Sequence, residues 1–304
     1  YVEDLALQQS FESSQQFEAL LAQLDPYSKY LNEHELEALF SSTNGRYTGL
    51  GIEIKQQQQK IIIVNTIKDS PAAIAGVQIN DVLLAVNQQT VAHKDINQVA
   101  QMIKASDTAT VTLTVERSNS PQAIYFTLTR SEINLESVTS SLSEFGIGYL
   151  AINSFTNHTL HDVARQITAL QSHYGNPLTG LVLDLRDNPG GTLQSAVAVS
   201  DLFLQSGTIV TTKGRFYDAN QHFRAKKGDI LNGAPIVVLI NENSASAAEI
   251  LAAALKDNHR ATLIGSQSFG KGSVQSLIPL GNGNTALKLT TAKYFTPSGQ
   301  SIEG

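Results

Sequence analysis

Two continuous apolar runs constrain what this chain can fold into more than any other feature of its sequence. They are Leu181-Val182-Leu183 and Ile236-Val237-Val238-Leu239-Ile240. A strand with one face in water alternates apolar and polar side chains, so an unbroken run indicates a strand covered on both faces. Helical spacing follows each run, at about Leu193–Gln205 and Ala247–Asp257. This alternation of strands and helices predicts a mixed α/β fold.

The chain is expected to contain more than one domain, because its 304 residues exceed the roughly 250 residues beyond which single cores rarely grow. We predict an N-terminal helical cap at residues 1–46, a β-rich module at residues 47–130 and a mixed α/β core at residues 131–304. In the helical cap, the turn Asp25-Pro26-Tyr27-Ser28 separates two groups of apolar residues at helical spacing. These are Phe17, Leu20, Leu21 and Leu24, then Leu36, Leu39 and Phe40.

β-branched residues, helical periodicity and turn signals predict the remaining elements. In the β-rich module we expect strands at Gly51–Ile54, Lys60–Thr66, Asp81–Asn87 and Ala109–Arg117, and helices at Ile74–Val77 and Ile96–Ile103. In the core we expect strands at Gly146–Ile152, Leu181–Leu185, Ile236–Asn241 and Ala261–Gly265, a first helix at about Leu160–His173, and a hairpin at Gly281–Asn284 into Thr285–Tyr294.

Charge and composition argue against several classes of function. The net charge is −6 and the lysines and arginines are scattered, which argues against nucleic acid and against docking on an anionic membrane. The absence of cysteine excludes disulfides, thiolate catalysis and cysteine metal sites. Of the seven histidines, His158 and His161 have the spacing of two ligands on a helix, but no third ligand is indicated. We therefore expect no metal and no other cofactor.

Ser246 directly follows the second apolar region and precedes an alanine-rich helix. A serine at this place is ordinarily an N-cap, whose side-chain oxygen accepts from a backbone N–H of the first turn. The alternative is a nucleophile, which a serine hydroxyl becomes only when a base takes its proton. Ser244 competes for either role.

Lys271 lies in the glycine-flanked turn Ser268-Phe269-Gly270-Lys271-Gly272-Ser273. An amine can act as a base near pH 7 only where it is sufficiently desolvated, whereas most lysines are simply solvated. Gly265–Lys271 also matches a phosphate-binding loop, but Gly272 replaces the residue that holds magnesium and Val274–Leu280 is strand-like. Ser246 and Lys271 together favour a Ser-Lys hydrolase over a nucleotide-binding protein.

A second loop supplies backbone donors for such a reaction. Another strand ends in the segment Asp184-Leu185-Arg186-Asp187-Asn188-Pro189-Gly190-Gly191. Its two glycines let backbone N–H groups approach a ligand. The N–H of Gly191 and the N–H of Ala247, at the positive end of a helix, are candidates to face a developing oxyanion. A plain strand-to-helix turn with Asp184 and Arg186 paired for structure is the alternative.

With these residues identified, the chain resembles the C-terminal processing peptidases, also called tail-specific proteases, over nearly its whole length. Five motifs in order carry the resemblance: Leu24 to Ser28, Asp184 to Gly191, Ser244 to Ile250, Phe269 to Gln275, and Tyr294 to Gly299. The sequence departs from the family at Tyr27, where histidine is usual, and at Pro189, where glycine is frequent.

The resemblance assigns roles within these motifs and implies a protease core of the crotonase-like type. In the family the nucleophile precedes the lysine by the spacing that separates Ser246 from Lys271, which selects Ser246 over Ser244. Lys271 is then the general base and Gln275 orients it. Gly191 and Ala247 provide the oxyanion-hole amides.

The β-rich module resembles a PDZ domain. The resemblance places a carboxylate-binding loop and its strand at Tyr47, Thr48, Gly49, Leu50, Gly51 and Ile52, with the helix Ile96–Ile103 along the groove. Such a groove adds a peptide tail as an extra strand and holds its terminal carboxylate on backbone N–H groups.

The family implies a serine endopeptidase that acts on protein substrates with exposed C-terminal tails through an acyl-enzyme. It also implies an extracytoplasmic location, which is the periplasm in a Gram-negative bacterium. A homo-oligomer, an adaptor protein and a membrane anchor outside this sequence stay open. A scaffold that binds tails through the PDZ module without catalysis is the rival interpretation.

Overall fold

The computed structural model describes residues 14–104, 109–226, 228–281 and 283–303, and for residues 14–17 it describes the backbone alone. Residues 46–135 form one compact unit, here called the β-rich unit, and the chain on either side of them forms the other, the core unit. The three-part division into residues 1–46, 47–130 and 131–304 stays a prediction.

In chain order the helices are α1 Ser14–Ala22, α2 Glu33–Asn44, α3 Pro71–Ala75, α4 Ile96–Lys104, α5 Thr159–Tyr174, α6 Leu193–Phe203 and α7 Ala247–Asp257. The strands are β1 Lys29–Leu31, β2 Arg46–Gly49, β3 Ile52–Gln57, β4 Lys60–Thr66, β5 Val82–Val86, β6 Gln89–Thr90, β7 Thr110–Glu116, β8 Ile124–Thr129, β9 Ser131–Asn134, β10 Val138–Leu142, β11 Ile147–Ile152, β12 Gly180–Asp184, β13 Thr208–Gly214, β14 Gln221–Arg224, β15 Ile236–Ile240, β16 Ala261–Gly265, β17 Ser273–Leu280 and β18 Thr285–Phe295.

The first sheet of the core unit has the strand order β10-β11-β12-β15-β16, with β10 antiparallel and the other strands parallel. The two apolar runs form β12 and β15, which are neighbours at its centre. Leu183 and Val238 are fully buried in one core cluster with residues of the three helices α5, α6 and α7. The mixed α/β prediction is therefore confirmed. Because parallel strands share an edge at their carboxyl ends, the loops after β12 and β15 come together there.

The second sheet of the core unit has the order β1-β18-β13-β14, and β17 pairs with β18 as the predicted hairpin. Asn282 in its turn lies outside the described residues. The N-terminal segment is not helical throughout, because β1 pairs antiparallel with β18. Three residues between two helices carry too little alternation to predict a strand, and this one forms only because β18 supplies its partner.

The β-rich unit contains a sheet with the order β3-β4-β5-β7-β8, to which β6 adds beside β5. Its core includes the fully buried Ile63, Val99, Val111, Leu113 and Val115. Strands β2 and β9 form a separate two-stranded ladder. Within the described residues, no helix combines the length and apolar character required to cross a membrane.

Candidate active site

Ser246 lies at the turn between β15 and α7 in a backbone conformation that non-glycine residues rarely adopt. Its φ is 54° and its ψ is −111°. Such strain costs of the order of 1–3 kcal/mol and persists only where the surrounding structure enforces it. A sharp, strained strand-to-helix turn is also how some hydrolases present a nucleophilic serine. Glu249, three residues later, accepts from the Ser246 backbone N–H as in a capping box. The Ser246 hydroxyl itself forms no cap hydrogen bond with the first turn of α7.

Ser244, the competing serine, has a structural role. Its side chain is fully buried, and its hydroxyl donates to the carbonyl of Leu185 at 2.7 Å. The same oxygen accepts from the backbone N–H of Asn241 at 3.0 Å. Because these contacts hold the hydroxyl between β12 and β15, Ser246 is the better candidate for a reacting group.

Glu249 connects the serine turn to the lysine turn. Its carboxylate oxygen Oε2 accepts from the backbone N–H of Ser246 at 2.7 Å and from the backbone N–H of Lys271 at 2.9 Å. The other oxygen accepts from the N–H of Gly270 and from the hydroxyl of Ser268, both at 2.7 Å. Glu249 as a whole residue is 4 % exposed. The Glu249 carboxylate therefore links the serine turn to the lysine turn through four charge-assisted hydrogen bonds.

Lys271 is half-buried, and the burial lowers the pKa of its amine, whereas the nearby Glu249 carboxylate acts to raise it. The Nζ atom lies 4.9 Å from the centre of the Tyr27 ring. Lys288 on β18 is a second half-buried amine, and its pKa is lowered by burial and by the charge of Lys271. A lysine whose pKa is lowered by burial is the kind that can act as a general base.

The side chains of Ser246 and Lys271 form no direct hydrogen bond with each other in the described part of the chain. What the structure brings together is their two backbones, on one carboxylate oxygen. The roles of nucleophile and base remain predictions.

Two backbone N–H groups have no hydrogen-bond partner among the described residues: that of Ala247, which follows Ser246, and that of Gly191, which follows the glycine that approaches Ser246. Gly191 forms an isolated parallel bridge with Phe155, in which the flanking Gly190 carbonyl and Thr192 N–H make the two hydrogen bonds. The N–H of Gly191 is thus left unused, and this residue is exposed. Both N–H groups are therefore available to donate to an oxyanion.

Gly190 brings the two loops into contact. A Cβ atom at this position would lie 2.8 Å from the Ala245 carbonyl oxygen, 2.9 Å from Ser246 Cβ and 3.1 Å from the Ala247 nitrogen. Its φ of 104° is likewise a conformation that favours glycine. Only a residue without a side chain lets this loop approach the nucleophile turn so closely.

Asn188 fixes the shape of the same loop. Its fully buried side chain accepts from the Gly190 N–H at 2.8 Å and donates to the Ile152 carbonyl at 2.6 Å. Its own carbonyl accepts from the N–H of Ala245 at 2.9 Å. Asn188 therefore ties the glycine loop both to β11 and to the residue before Ser246.

Asp184 and Arg186 are paired, as the structural alternative for this motif expected. Arg186 Nη2 lies 2.6 Å from Asp184 Oδ2, and the Tyr149 hydroxyl donates to the same oxygen at 2.5 Å. Burial acts to raise the pKa of Asp184, but the bonds from Arg186 and Tyr149 outweigh it and leave the pKa lowered. The pair anchors the end of β12, from which the glycine loop begins.

Gln275 forms no hydrogen bond with Lys271 in the described residues. Its Nε2 donates to the hydroxyls of Ser273 at 2.9 Å and Thr290 at 3.3 Å. With both N–H bonds used, the amide oxygen is the atom left to accept from the lysine amine. The orienting role of Gln275 remains a prediction.

Tyr294 presents an unused hydroxyl beside Ser246. Its side chain is 1 % exposed, and its hydroxyl is among the buried polar atoms that have no partner at hydrogen-bond geometry. Burial raises the pKa of Tyr294, and the neighbouring Ser246 hydroxyl opposes the rise. The tyrosine is therefore a neutral group next to the serine.

Glu249, Asn188 and Tyr294 lie within the sequence motifs but were given no role there. For Glu249 a signal existed, because a glutamate three residues after a helix-capping serine has the spacing of a capping box. Nothing in the sequence indicates that the same carboxylate also receives the Lys271 N–H. The phosphate-loop alternative fails in the structure, since Lys271 leads into β17 and not into a helix.

The predicted groove residues of the β-rich unit divide between two places. Tyr47, Thr48 and Gly49 belong to β2 and pair with β9. Leu50 and Gly51 form the loop before β3, where their carbonyls accept from the N–H groups of Ala72 and Ile67.

Strand β3, which begins at Ile52, is at the edge of its sheet, and α4 packs near it. A free strand edge beside a helix is the arrangement that binds a peptide as an added strand. Within the described residues, no three histidine, aspartate or glutamate side chains come together as a metal site.

Comparison with known proteins gives two family matches. Residues 146–304 match the model for peptidase family S41, and residues 62–117 match the model for the PDZ domain. The chain is 43 % identical over 286 residues to a carboxy-terminal-processing protease of Bartonella bacilliformis, covering 94 % of this chain and 65 % of the relative. It is 34 % identical over 313 residues to the carboxy-terminal processing protease CtpB of Bacillus subtilis, covering 99 % and 62 %.

Among solved structures, the photosystem II D1 C-terminal processing protease is similar with a TM-score of 0.57 and 27 % identity, covering 97 % of this chain and 80 % of that one. An S41 protease from Bacteroides fragilis shares the fold with a TM-score of 0.63 at 18 % identity, covering 96 % and 80 %. The chain spans less than two thirds of the length of the curated relatives named above.

Proposed function

Because the chain belongs to peptidase family S41 and contains a PDZ domain, we propose that it is a serine endopeptidase that cleaves proteins carrying an accessible C-terminal tail. One observation carries the proposal. The backbones of Ser246 and Lys271 meet on a single oxygen of Glu249, beside two backbone N–H groups that have no partner in the described residues.

In the reaction we propose, Ser246 Oγ attacks the scissile carbonyl while the neutral amine of Lys271 takes its proton. The N–H groups of Gly191 and Ala247 hold the negative oxygen of the tetrahedral intermediate, each worth roughly 10²–10³ in rate. Lys271 then returns the proton to the leaving amine as the C–N bond breaks. A water molecule, deprotonated by the same amine, then attacks the ester on Ser246, and the amine returns that proton to Ser246 Oγ as the ester C–O bond breaks.

Burial is what prepares Lys271 for this role. An ordinary lysine with a pKa near 10.4 is almost wholly charged at neutral pH and cannot accept a proton. The half-buried position of Lys271 lowers the pKa and so increases the neutral fraction. In this proposal the amide oxygen of Gln275 accepts a hydrogen bond from the amine and orients its lone pair toward Ser246.

The tail is the part of the substrate that the PDZ domain selects. In the proposal it adds to the free edge of β3 as a strand and places its carboxylate on the loop at Leu50 and Gly51. The core cluster of this unit also includes the partly buried Ile52, Ile54, Ile96 and Ile103 near this edge, which favours apolar residues in the tail. We further propose that the protein works outside the cytoplasm, in the periplasm of a Gram-negative bacterium.

The test is cleavage of an unfolded protein with an apolar C-terminal tail, analysed by mass spectrometry for products and for a covalent acyl-enzyme. Wild type should cleave, and Ser246→Ala and Lys271→Ala should not, although both should still bind the tail. A tail-binding scaffold without catalysis would give equal binding and no cleavage in all three proteins.

A further inference from the structure

The turn Asp25–Ser28 lies beside Lys271 of the proposed site and is linked to Gln275 through Thr290, although the proposed reaction gives it no role. Asp25 organises the turn: Oδ1 accepts from the N–H groups of Tyr27 at 2.8 Å and Ser28 at 2.9 Å, and Oδ2 accepts from the Ser28 hydroxyl at 2.5 Å. Hydrogen bonds within the turn therefore fix its conformation.

Strand β18 anchors this turn at one residue, Thr290. The Thr290 N–H donates to the Ser28 hydroxyl oxygen at 3.1 Å, and the Thr290 hydroxyl donates to Asp25 Oδ1 at 3.0 Å. Burial acts to raise the pKa of Asp25, but the hydrogen bonds from Ser28, Tyr27 and Thr290 outweigh it and leave the pKa lowered. At neutral pH the carboxyl group is therefore ionised and can only accept hydrogen bonds.

The ionised state of Asp25 determines the orientation of the Gln275 amide. Since Asp25 cannot donate, the Thr290 hydroxyl must give its proton to Asp25 and present a lone pair to its other neighbour. That neighbour is Gln275 Nε2, at 3.3 Å. The amide is thereby held with its nitrogen toward Thr290 and its oxygen free, which is the orientation that accepts from an amine.

The same turn also covers Lys271. The ring of Tyr27 has its centre 4.9 Å from Lys271 Nζ, within the range in which an aromatic face attracts and shields an amine. The charged neighbours of this amine are the Glu249 carboxylate on α7 and the Lys288 amine on β18. Tyr27 supplies the aromatic cover among these neighbours.

We propose that the turn Asp25–Ser28 is a positioning element of the active site, in which Tyr27 holds and covers the amine of Lys271 and Asp25 sets the amide of Gln275 through Thr290. The inference rests on the proposed function for its meaning in catalysis. The two contacts act on different atoms, so each can be removed separately.

The first test is Tyr27→Ala with Tyr27→Phe as the matched variant that keeps the ring. The full chain is treated with acetic anhydride, which acylates only neutral amines, across a pH series, and labelling of Lys271 is quantified by mass spectrometry. The ring desolvates the amine, which lowers its pKa, and attracts its charged form, which raises it. Because the net shift of this amine is downward and burial is the largest cause, the pH midpoint of Lys271 labelling in Tyr27→Ala should move to higher pH. The exposed Lys60 serves as an internal control and should not change.

With a quenched fluorescent peptide of unstructured sequence and apolar C-terminus, kcat of Tyr27→Ala should fall by about 10- to 100-fold, the range expected when a catalytic group is misplaced. Tyr27→Phe should restore both kcat and the labelling midpoint. Equal labelling midpoints in Ala and Phe variants would overturn the role of Tyr27.

The second test does not depend on Tyr27. Thr290→Val removes the hydroxyl between Asp25 and Gln275 and keeps a β-branched side chain in β18. It should lower kcat about five- to tenfold, as expected for one lost hydrogen bond, with KM and the labelling midpoint of Lys271 unchanged. Thr290→Ser should restore kcat. Equal kcat in the Val and Ser variants would overturn the Asp25 arm.

Failure of the proposed function would look different. If the wild type cleaves nothing, or if Ser246→Ala cleaves as well as the wild type, the proteolytic assignment is wrong. The labelling midpoints of Lys271 would still report whether Tyr27 covers the amine.

Discussion

Ser246 and Lys271 donate their backbone N–H groups to the same carboxylate oxygen, Glu249 Oε2, at 2.7 and 2.9 Å. Their two nitrogens are therefore no farther apart than the sum of these distances. Neither hydrogen bond uses the side chain of Ser246 or of Lys271. A nucleophile and a base are thus held through their backbones, by a residue that need not take part in the reaction.

Glu249→Gln should impair both stability and catalysis. Each carboxylate oxygen accepts two hydrogen bonds, at least one of them from a backbone N–H, so an amide NH₂ in either place would face an N–H donor and leave it unsatisfied. We expect a loss of about 2–4 kcal/mol in the free energy of unfolding and a fall in kcat of at least about 100-fold.

The matched control is Glu242→Gln, since Glu242 is exposed in the turn between β15 and α7, and among the described residues Ser266 is the one side chain that donates to it. Urea unfolding and peptide cleavage measure the two effects. A Glu249→Gln protein with wild-type stability would contradict the four-donor role of this carboxylate.

Ser246→Gly and Ser246→Ala should both be inactive, and the glycine variant should not be the less stable of the two. The φ of 54° and ψ of −111° at this residue strain any side chain, whereas glycine adopts positive φ freely. We expect the glycine variant to be as stable as the alanine variant or more stable, by up to about 1 kcal/mol, even though glycine ordinarily costs stability. If the alanine protein is clearly the more stable, the backbone at this turn is not strained.

Gly190→Ala should reduce activity more than stability alone explains. The added Cβ would press on the Ala245 carbonyl and the Ala247 nitrogen, which flank the nucleophile and include a proposed oxyanion donor. We expect kcat to fall by about 100-fold or more, because one misplaced oxyanion donor costs that much.

Gly233→Ala is the control for the backbone conformation. Gly233 also has a positive φ, 87°, but a Cβ there meets nothing within 4 Å. Gly233→Ala should lose only the stability that the positive φ costs an alanine, and it should keep its kcat. Equal kcat losses in the two variants would place the effect of Gly190 in folding and not in the site.

The turn that carries Ser246 was easier to predict from the sequence than the sheets around it. The run Ile236–Ile240 and the helix from Ala247 identified the turn at Ser246, because both are local patterns. Strand β8 was missed although its Ile124, Phe126 and Leu128 alternate with polar residues, since a single short alternation is weak without its partner β7.

The links that position the site are long-range and have no local signature. Glu249 binds Lys271 across 22 positions, and Thr290 binds Asp25 across 265. Such pairs cannot be read from spacing, because they are set by which turns the fold brings together. The motif residues Asp25, Tyr27 and Glu249 were visible in the sequence, but their contacts were not.

Lys271→Met should be inactive at every pH and more stable than the wild type at neutral pH. Burial lowers the pKa of Lys271, so the charged amine is penalised in the folded state and not in the unfolded chain. As pH rises from the lowered pKa toward the unfolded value of about 10.4, the unfolded chain holds more protons and wild-type stability increases. The advantage of the methionine variant should therefore shrink over that window.

The charge of Lys271 also lowers the pKa of Lys288. Removing that charge removes its repulsion of the charged Lys288, which adds to the stability of the variant at neutral pH. Urea unfolding at pH 6, 8 and 10 measures the difference. A difference that is constant with pH would mean that Lys271 is solvated. The kcat/KM of the wild type should rise with pH through the same lowered pKa, because only the neutral amine accepts a proton.

A tail peptide with a free C-terminus should bind the inactive Ser246→Ala protein more tightly than the same peptide with a C-terminal amide. The carboxylate is what the N–H groups of the loop before β3 would hold, so its loss should weaken binding by about tenfold or more. Fluorescence anisotropy with the two peptides measures the ratio. Equal affinities would mean that the tail binds along the chain without recognition of its end.

Gly51→Ala, made in the same inactive protein, tests whether the loop before β3 is the place of binding. A Cβ at Gly51 would lie 2.2 Å from Ser70 Cβ, and its φ is 76°, so the loop must shift. The control is Gly76→Ala in the same unit, where φ is 86° and a Cβ meets nothing within 4 Å. Both variants should lose some stability, but only Gly51→Ala should abolish the preference for the free carboxylate. If that preference survives in Gly51→Ala, the carboxylate is held elsewhere on the chain.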